Sequence, residues 1–466
     1  MEFFDRIKEL AALNREYQQR HANFLVLYGR RRVGKTRLLK EFIQDKPHIY
    51  FLVDKQLEID LRRRFQQSIG YFLKDEVLGK IEFNDWDGLF RYWLDRTDFS
   101  KKVVLVIDEF QYLVKVNPAF PSILQRWWDE EFQTKNVFLI LCGSLMNMMY
   151  SSTLSYQSPL YGRRTGQIRL EPISFPDFQE FFPDLTFQQL VEFYSVIGGV
   201  PKYMEFVNLQ HSIFENIRTI ILDRNAYLYH EPRFILSEEL TEIMTYFSIL
   251  RTIAEGEHKI GNIAAKLHLP TNRLTKYLEL LIDLGLLERQ VPVTEEQPQK
   301  SKKGLYFIRD YFFRFWFHYV FPFQSLLEMD HTDFVLEKIR ADFSHFVAPV
   351  FEAISQALVG HWNATDQLPF KPERWGRWWS RQQEIDVVAL NASSREILFG
   401  ECKWTQQPVG PEVLFHLKQQ AQSVKWYLNE RTEYFLIISK SGFTPDLKRL
   451  AARGEVLLAR DFGLLK

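Results

Sequence analysis

Two glycines, a lysine and a threonine form the first group of residues whose types and spacing could do chemistry. They lie in the segment GRRRVGKT, at Gly29, Gly34, Lys35 and Thr36, and the segment matches the phosphate-loop pattern. Glycines at these positions let backbone N–H groups close on phosphate oxygens at a helix N-terminus. Lys35 is then expected to reach the β- and γ-phosphates of ATP, and Thr36 to hold Mg²⁺ through its hydroxyl. The segment therefore predicts a site for ATP and magnesium.

Two carboxylates further along the chain would complete that chemistry. Asp108 and Glu109 follow the apolar run VVLVI, which predicts a buried strand. Asp108 is expected to bind the water shell of magnesium, and Glu109 to activate the attacking water. The alternative is a glycine turn with an unrelated acidic pair on the surface. The phosphate loop also stands between a predicted strand (24–28) and a predicted helix (36–43), as such a loop requires, so we expect ATP hydrolysis.

Three further residues are candidates for sensing the nucleotide. Ser144 follows the predicted strand 137–142, where its hydroxyl could touch the γ-phosphate, although a plain strand cap explains it equally well. Arg163 and Arg164, in PLYGRRTG, are candidates for an arginine that reads charge on the γ-phosphate in the same or a neighbouring subunit. Ordinary solvated arginines are the alternative. A homo-oligomer is therefore an open expectation.

The first half of the chain resembles the archaeal-type ATPases, which are similar to the signal-transducing NTPases with numerous domains. FFDRIKELAAL is similar to the first-helix signature of that family, and GGVPKYM to its glycine-proline lid motif. The resemblance continues through PLYGRRTGQIRLEPISF and covers roughly the first 230 residues. It implies that Pro201 lies against the nucleotide base.

A second set of chemical residues lies near the C-terminus. Asp386 heads the apolar run of EIDVVAL, and Glu401 and Lys403 follow in EILFGECKW. Strand alternation places Glu401 and Lys403 on one face, while Cys402 points into the core. Two carboxylates on neighbouring strands can hold Mg²⁺ or Mn²⁺, and a lysine beside them can orient or deprotonate water for attack on a phosphodiester. This pattern indicates nuclease chemistry.

The strand pair resembles the PD-(D/E)XK nuclease superfamily, whose fold is often found at the C-terminus of archaeal-type ATPases. The resemblance implies roles for Asp386, Glu401 and Lys403, and for an acid on a preceding helix, where Glu352 is the candidate. Glu384 shares the face of Asp386 and is an alternative ligand. A surface salt-bridge cluster and a nuclease fold that only binds are the other interpretations of the same residues.

The order of apolar runs predicts a multidomain α/β protein. We expect a phosphate-loop ATPase core at 1–165, a helical lid at 166–232, a winged-helix domain at 233–325 and an α/β restriction-endonuclease-like domain at 335–466. The helix-turn-helix, KIGNIAAKLHL followed by TNRLTKYLELLIDLGLLER, offers Arg273 and Lys276 to DNA, and Lys300, Lys302 and Lys303 lie in the wing. Packing without DNA contact is equally consistent with these helices.

Composition narrows the setting. Lys plus Arg and Asp plus Glu number 59 each, so attraction to nucleic acid must come from local patches. The two cysteines, Cys142 and Cys402, lie in separate apolar runs and indicate a reducing compartment. No apolar stretch has the length of a membrane span, and MEFFDRIKEL has acids where a signal peptide needs bases. The aromatic stretch from Tyr311 to Phe323 is expected to be packed interface. We therefore expect a cytoplasmic protein without a membrane partner.

These expectations converge on an ATP-gated DNA nuclease that uses ATP with magnesium at one site and Mg²⁺ or Mn²⁺ at the other. The rival is a nucleotide-controlled switch that binds DNA or a protein without cutting. A set of two acids and a lysine on one strand pair favours the nuclease, because a docking domain needs no such set.

Overall fold

The computed structural model describes residues 6–465 and divides into two compact units. The first unit contains the chain up to Ile173, together with Val200–Glu205 and Phe234–Thr241. The second contains Ser174–Gly199, Phe206–Arg233 and the chain from Glu242 onwards. The predicted lid (166–232) is therefore shared between the units, and the second unit contains the segments predicted as winged-helix and nuclease-like domains.

Helices and strands are numbered in chain order. The helices are α1 Ile7–Tyr17, α2 Lys35–Ile43, α3 Glu58–Leu73, α4 Trp86–Arg96, α5 Phe110–Val116, α6 Phe120–Glu130, α7 Met146–Met149, α8 Phe175–Phe181, α9 Phe187–Ile197, α10 Pro201–Met204, α11 Ile213–Asn216, α12 Glu231–Glu239, α13 Ile243–Ala254, α14 Ile260–Leu267, α15 Thr271–Asp283, α16 Tyr311–Phe315, α17 Gln324–Glu328, α18 Thr332–Ala364, α19 Pro411–Ala421 and α20 Pro445–Ala452. The strands are β1 Asn23–Tyr28, β2 His48–Leu52, β3 Val103–Asp108, β4 Val137–Gly143, β5 Gly166–Arg169, β6 Leu287–Gln290, β7 Leu305–Ile308, β8 Arg374–Trp379, β9 Glu384–Asn391, β10 Glu396–Lys403, β11 Thr432–Ser439, β12 Leu457–Arg460 and β13 Gly463–Leu465.

A parallel sheet forms the centre of the first unit and confirms the predicted α/β core. Its strand order is β2-β3-β4-β1-β5, with every neighbouring pair parallel. Strands β3 and β4 are buried along their whole length, as their unbroken apolar runs require when helices cover both faces of a sheet. Because the strands are parallel, the carboxyl ends of β1, β3 and β4 meet at one edge, and this edge carries the phosphate loop, Asp108 and Ser144.

The middle of the second unit contains three helices followed by an antiparallel strand pair. Helices α13, α14 and α15 precede the antiparallel pair β6–β7, and Lys259 forms an additional bridge to Leu305. Helix α15 buries Leu274, Tyr277, Leu278 and Leu281, a helical spacing that turns Lys276 outward.

The aromatic stretch from Tyr311 to Phe323 is packed as predicted. Phe312, Phe313, Phe315, Trp316 and Phe317 are all fully buried. Across residues 6–465 no helix has the length and apolar character needed to cross a membrane.

A mixed six-stranded sheet ends the chain, in the order β13-β12-β11-β10-β9-β8. The antiparallel pair β9–β10 and the parallel pair β10–β11 form its middle. Two strands at one edge, β12 and β13, and the tryptophan-rich β8 at the other were not predicted as strands. In β8, Trp378 is buried and Trp375 is 40% exposed.

Candidate functional site

The phosphate loop joins the end of β1 to the first turn of α2. Gly34 has a φ of 95°, in the left-handed region that favours glycine. A Cβ at Gly29 would lie 2.4 Å from the carbonyl oxygen of Leu170, so this position has no room for a side chain. The two predicted glycines are therefore required by backbone conformation in one case and by close packing in the other.

Lys35 is a buried cation inside this loop. The residue is only 6% exposed, and its Nζ donates hydrogen bonds to the carbonyl oxygens of Gly29 (2.8 Å) and Arg30 (2.9 Å). Burial lowers the pKa of Lys35, although the nearby Asp108 and Glu109 act in the opposite direction. A cation held by backbone carbonyls in a glycine loop has the chemistry needed to bind phosphate oxygens, so the residues present fit ATP.

Asp108 lies at the end of β3, fully buried, and accepts three hydrogen bonds. Its Oδ2 accepts from Thr36 Oγ1 (2.8 Å) and from the hydroxyl of Tyr50 (2.6 Å), and its Oδ1 accepts from the N–H of Glu109 (2.9 Å). The contact between Thr36 and Asp108 brings together the two oxygen ligands predicted for magnesium, and this pairing fits a hard divalent cation.

Tyr50 was not predicted as a site residue. It lies on β2, where burial and the Asp108 carboxylate raise the pKa of its hydroxyl, so it stays a hydrogen-bond donor over the whole physiological range. The available signal was a phenol in a mostly apolar strand, and this strand pairs with the strand that carries Asp108.

Glu109 follows Asp108 in the left-handed conformation, with φ 57°. Its Oε2 accepts hydrogen bonds from Ser144 Oγ (2.7 Å) and from Gln111 Nε2. Ser144, predicted to touch the γ-phosphate or to cap a strand, therefore contacts the carboxylate predicted to activate water. These two donors orient Glu109 at the same sheet edge as Lys35 and Thr36.

The other nucleotide-sensing candidates lie in different surroundings. Arg163 makes a bidentate ion pair with Asp129 of α6, with Nε 2.9 Å from Oδ1 and Nη2 2.8 Å from Oδ2. The guanidinium of Arg164 stands over the ring of Tyr161, 5.6 Å from its centroid. Pro201 begins α10, in a short segment that belongs to the first unit.

Two acids near the end of α12 also approach the phosphate loop, and sequence reasoning missed them. Glu238 forms an ion pair with Arg31 of the loop and lies 3.8 Å from Lys55. Burial raises the pKa of Glu239 to about 7, while Arg31 and Lys35 act to lower it. Glutamates at a helix end are too common for their spacing to have indicated this contact.

The C-terminal candidates gather on β9 and β10. Asp386, 8% exposed, accepts a hydrogen bond from the N–H of Cys402 through Oδ2 (2.9 Å). Lys403 Nζ donates to Glu401 Oε1 at 2.6 Å, so alternation places this pair together as predicted. Cys402 is buried, and neither cysteine of the described chain is in a disulfide. The nuclease candidates Asp386, Glu401 and Lys403 are thus neighbours.

Glu352 of α18 lies close to Asp386 and Glu401, and we call the group of Asp386, Glu401, Lys403 and Glu352 the acid site. An arginine of β8 that we had not predicted lies beside Glu352. Arg377 Nη2 lies 3.4 Å from Glu352 Oε2 and 3.4 Å from Glu384 Oε2. Burial raises the pKa of Glu352, against the effect of Arg377. Glu384 is 68% exposed at its side chain and contacts the arginine rather than Asp386.

Crowding of carboxylates dominates the electrostatics of the acid site. Burial raises the pKa of Asp386 well above its usual value, and Glu352 and Glu401 raise it further. Burial lowers the pKa of Lys403, but its hydrogen bond to Glu401 and the surrounding acids outweigh this and leave it raised. A divalent cation would relieve the repulsion among these acids, which fits Mg²⁺ or Mn²⁺. As the side chains stand, residues 6–465 hold no group of three or more His, Cys, Asp or Glu that could ligate a metal.

Some of the basic residues that we predicted could face DNA already form ion pairs within the protein, and others do not lie in such a pair within residues 6–465. Arg273 pairs with Glu242 (3.2 Å) and Lys303 with Glu295 (2.7 Å), whereas Lys276, Lys300 and Lys302 are exposed. The segment between the hairpin strands also binds β8, because the N–H of Val293 donates to the carbonyl of Arg377 at 2.9 Å. The hairpin region thus packs on the C-terminal sheet and still presents lysines to solvent.

Two different family models match the N-terminal and the C-terminal parts of the chain. Residues 3–207 match a family model described as an ATPase domain predominantly from Archaea. Residues 316–422 match a second model, described as archaeal and bacterial proteins of unknown function.

The relatives are archaeal. The uncharacterized protein MJECL04 of Methanocaldococcus jannaschii is 38% identical over 402 residues, which are 86% of this chain and 87% of that protein. The uncharacterized ATP-binding protein MJ0423 of the same organism is 50% identical over 44 residues, covering 9% of this chain and 75% of that protein. Among solved structures, the Walker-type ATPase PABY2304 of Pyrococcus abyssi is 22% identical and covers 67% of this chain and 95% of its own, with a TM-score of 0.47.

Proposed function

We propose a function that starts from one premise: the chain belongs to the same family as the archaeal protein MJECL04, and it carries an ATPase domain of the archaeal type. From this premise we infer that the protein hydrolyses ATP with magnesium and acts on DNA through a metal-dependent nuclease site under the control of the nucleotide. The observation that carries the nuclease part is the gathering of Asp386, Glu401, Lys403 and Glu352 at one end of β9 and β10.

At the phosphate site, this chain's residues would act in the following way. Lys35 and the loop N–H groups bind the β- and γ-phosphates, and Thr36 with Asp108 would hold the magnesium ion, which supplies charge neutralisation for the phosphates. Glu109 accepts a proton from the attacking water while Ser144 and Gln111 hold its carboxylate in place.

At the acid site, Asp386 and Glu401 would hold Mg²⁺ or Mn²⁺, which supplies Lewis-acid chemistry at the scissile phosphodiester. Lys403, 2.6 Å from Glu401, can orient water for attack once that carboxylate turns towards a cation. Glu352 would add a carboxylate from α18, as the resemblance to PD-(D/E)XK nucleases implies. Helices α13 to α15 and the hairpin β6–β7 support a winged-helix assignment, and the exposed lysines of the hairpin segment suit sequence-independent phosphate contacts.

One observation favours the rival function, a nucleotide-controlled switch that binds DNA or protein without cutting. Each of two site acids already has an internal cation, Lys403 beside Glu401 and Arg377 beside Glu352. Such internal neutralisation would keep the sheet stable with no metal, as a docking module requires.

A cleavage assay separates the two functions. Labelled single-stranded, duplex and branched DNA would be incubated with Mg²⁺ or Mn²⁺, with and without ATP, and wild type compared with Asp386→Ala. Glu430→Ala is the matched control, because Glu430 is an exposed acid of the same sheet region, paired with Arg395. We expect metal-dependent cutting that Asp386→Ala loses and Glu430→Ala keeps. Intact binding with no cutting of any substrate would replace the nuclease by the switch.

A further inference from the structure

One short segment of the chain belongs to the first unit although the residues on both sides belong to the second. The segment is Phe234–Thr241, and it contains the end of α12 with the acid pair Glu238 and Glu239. Its apolar anchors, Ile235, Leu236 and Leu240, are buried. The chain therefore enters the ATPase unit at this point, places two carboxylates there, and then continues into α13.

Glu238 contacts a cation of the phosphate loop itself. It forms an ion pair with Arg31, whose guanidinium also donates to the hydroxyl of Tyr112, and Lys55 lies 3.8 Å from its other carboxylate oxygen. Both side chains of the Arg31–Glu238 pair are about one third exposed or less, at 27% and 30%. Solvent therefore screens the attraction only in part.

Glu239 points deeper into the same site. It accepts a hydrogen bond from the backbone N–H of Met146, which begins α7 just after Ser144. Lys35 and Arg31 are close enough to favour its ionised form, against the burial that raises its pKa to about 7. This carboxylate thus lies within electrostatic range of the lysine that phosphate oxygens require.

The Glu238–Glu239 carboxylates and a nucleoside triphosphate would both be attracted to the same cations of the phosphate loop. Both are anions that the positive charges of Arg31 and Lys35 attract, and two anions in one partly buried site repel one another strongly. Full pairing of both with the same cations is therefore unfavourable.

We infer that the Glu238–Glu239 pair is an internal competitor for the phosphate site, displaced by ATP together with segment 234–241. This inference rests on the proposed ATP function and adds its regulation. Because segment 234–241 runs directly into α13, displacement of the acid pair by the triphosphate gives the helix-turn-helix a signal of nucleotide occupancy. ADP lacks the γ-phosphate and competes less with the pair.

The direction of a mutational effect distinguishes a competitor from a structural contact. The variant Glu238→Gln/Glu239→Gln keeps the size of both side chains and removes both charges. Loss of a competitor tightens ATP binding, whereas loss of a structural contact weakens it. Glu205→Gln is the matched control, because Glu205 is an acid of the same unit that pairs with the exposed Lys202.

The measurement is the dissociation constant of a fluorescent ATP analogue for wild type, the double variant and the control. We expect roughly tenfold tighter binding for the double variant, the scale of a typical coupling between two sites, and no change for Glu205→Gln. Unchanged or weaker binding by the double variant would overturn the competitor while leaving ATP binding in place. Failure of the wild type to bind the analogue would instead overturn the proposed function.

Hydrogen exchange of the wild-type chain gives a second test that needs no variant. Amides of residues 234–241 should exchange faster with ATP than with ADP, because displacement exposes them. Equal or slower exchange with ATP would contradict the displacement.

Discussion

The phosphate site and the acid site of this protein both collect carboxylates and a lysine at one edge of a sheet, but the acids of the two sites have different partners. At the phosphate site, neutral donors orient the acids: Thr36 and Tyr50 bind Asp108, and Ser144 binds Glu109. At the acid site, cations of the chain itself neutralise the acids, with Lys403 on Glu401 and Arg377 on Glu352.

The difference indicates how much each site must rearrange to act. Acids held by neutral donors keep their full negative charge for a metal ion or a water molecule. Acids paired with lysine and arginine must exchange those partners before they can ligate a cation. Asp108 and Glu109 thus need no change of partner once ATP has displaced the Glu238–Glu239 pair, whereas Glu401 and Glu352 depend on a ligand to separate their ion pairs.

The largest expected effect comes from a substitution that removes the cation of the phosphate site. Lys35→Ala should lower ATP turnover by about 10³-fold, because a buried positive charge that stabilises the transferring phosphoryl group is lost. Steady-state phosphate release measures this loss of turnover, with Arg37→Ala, on the exposed side of the same helix, as the control. Full turnover by Lys35→Ala would remove the ATPase half of the comparison.

A smaller effect tests whether the neutral hydrogen-bond donors of the phosphate site contribute to magnesium binding. Tyr50→Phe deletes one hydrogen bond to Asp108 and should raise the Mg²⁺ concentration needed for half-maximal turnover by about tenfold, the effect of one well-placed outer-shell partner. The affinity for ATP measured in EDTA should stay unchanged. Tyr17→Phe, which deletes the hydrogen bond from another hydroxyl to the carbonyl of Lys102, is the matched control. Equal Mg²⁺ dependence in all three proteins would show that the hydroxyl of Tyr50 is not needed to position Asp108.

The stability of the acid site should depend on pH. Because the folded pKa of Asp386 is raised, its contribution to stability is present at low pH and is lost as pH rises through the folded pKa. Asp386→Asn should therefore melt a few degrees above wild type at pH 8, by the usual relation of free energy to Tm, and close to wild type near pH 4. Mn²⁺ should raise the Tm of wild type more than that of the variant.

Thermal unfolding at the two pH values, with Glu430→Gln as the control, checks this prediction. A variant that melts below wild type at pH 8 would show that Asp386 stabilises the sheet through its hydrogen bond to Cys402 more than it destabilises it through repulsion.

The smallest effect concerns an arginine that we considered for sensing the γ-phosphate. Arg163 already forms an ion pair with Asp129, so Arg163→Ala should change ATP turnover less than about twofold. The free energy of unfolding should fall by about 0.5–1 kcal/mol, the range for a partly exposed ion pair. Turnover at several protein concentrations measures the change in activity. A large loss that appears only at high concentration would instead assign Arg163 to a neighbouring subunit's site.

Sequence reasoning found the residues that local patterns can specify. The phosphate loop and the Asp108-Glu109 pair are contiguous or follow unbroken apolar strands, and alternation alone placed Glu401 beside Lys403. It missed Tyr50, Arg377, Glu238 and Glu239, because each is a common residue type whose role depends on a partner far along the chain. Strand β8 was missed because its arginines and tryptophans do not alternate in the way that predicts a half-buried strand.

The discontinuity of the first unit has a consequence for how such a protein can be recombined. A fragment that ends at residue 207, where the match to the ATPase family model ends, lacks Phe234–Thr241 and with it the buried side chains of Ile235, Leu236 and Leu240. Exchange of that fragment between relatives would leave a gap in the ATPase unit unless the donor sequence also supplied the later segment. Because Ser174–Gly199 and Phe206–Arg233 belong to the second unit, a crossover beyond residue 241 would in turn divide that unit, so the two units are expected to be inherited together.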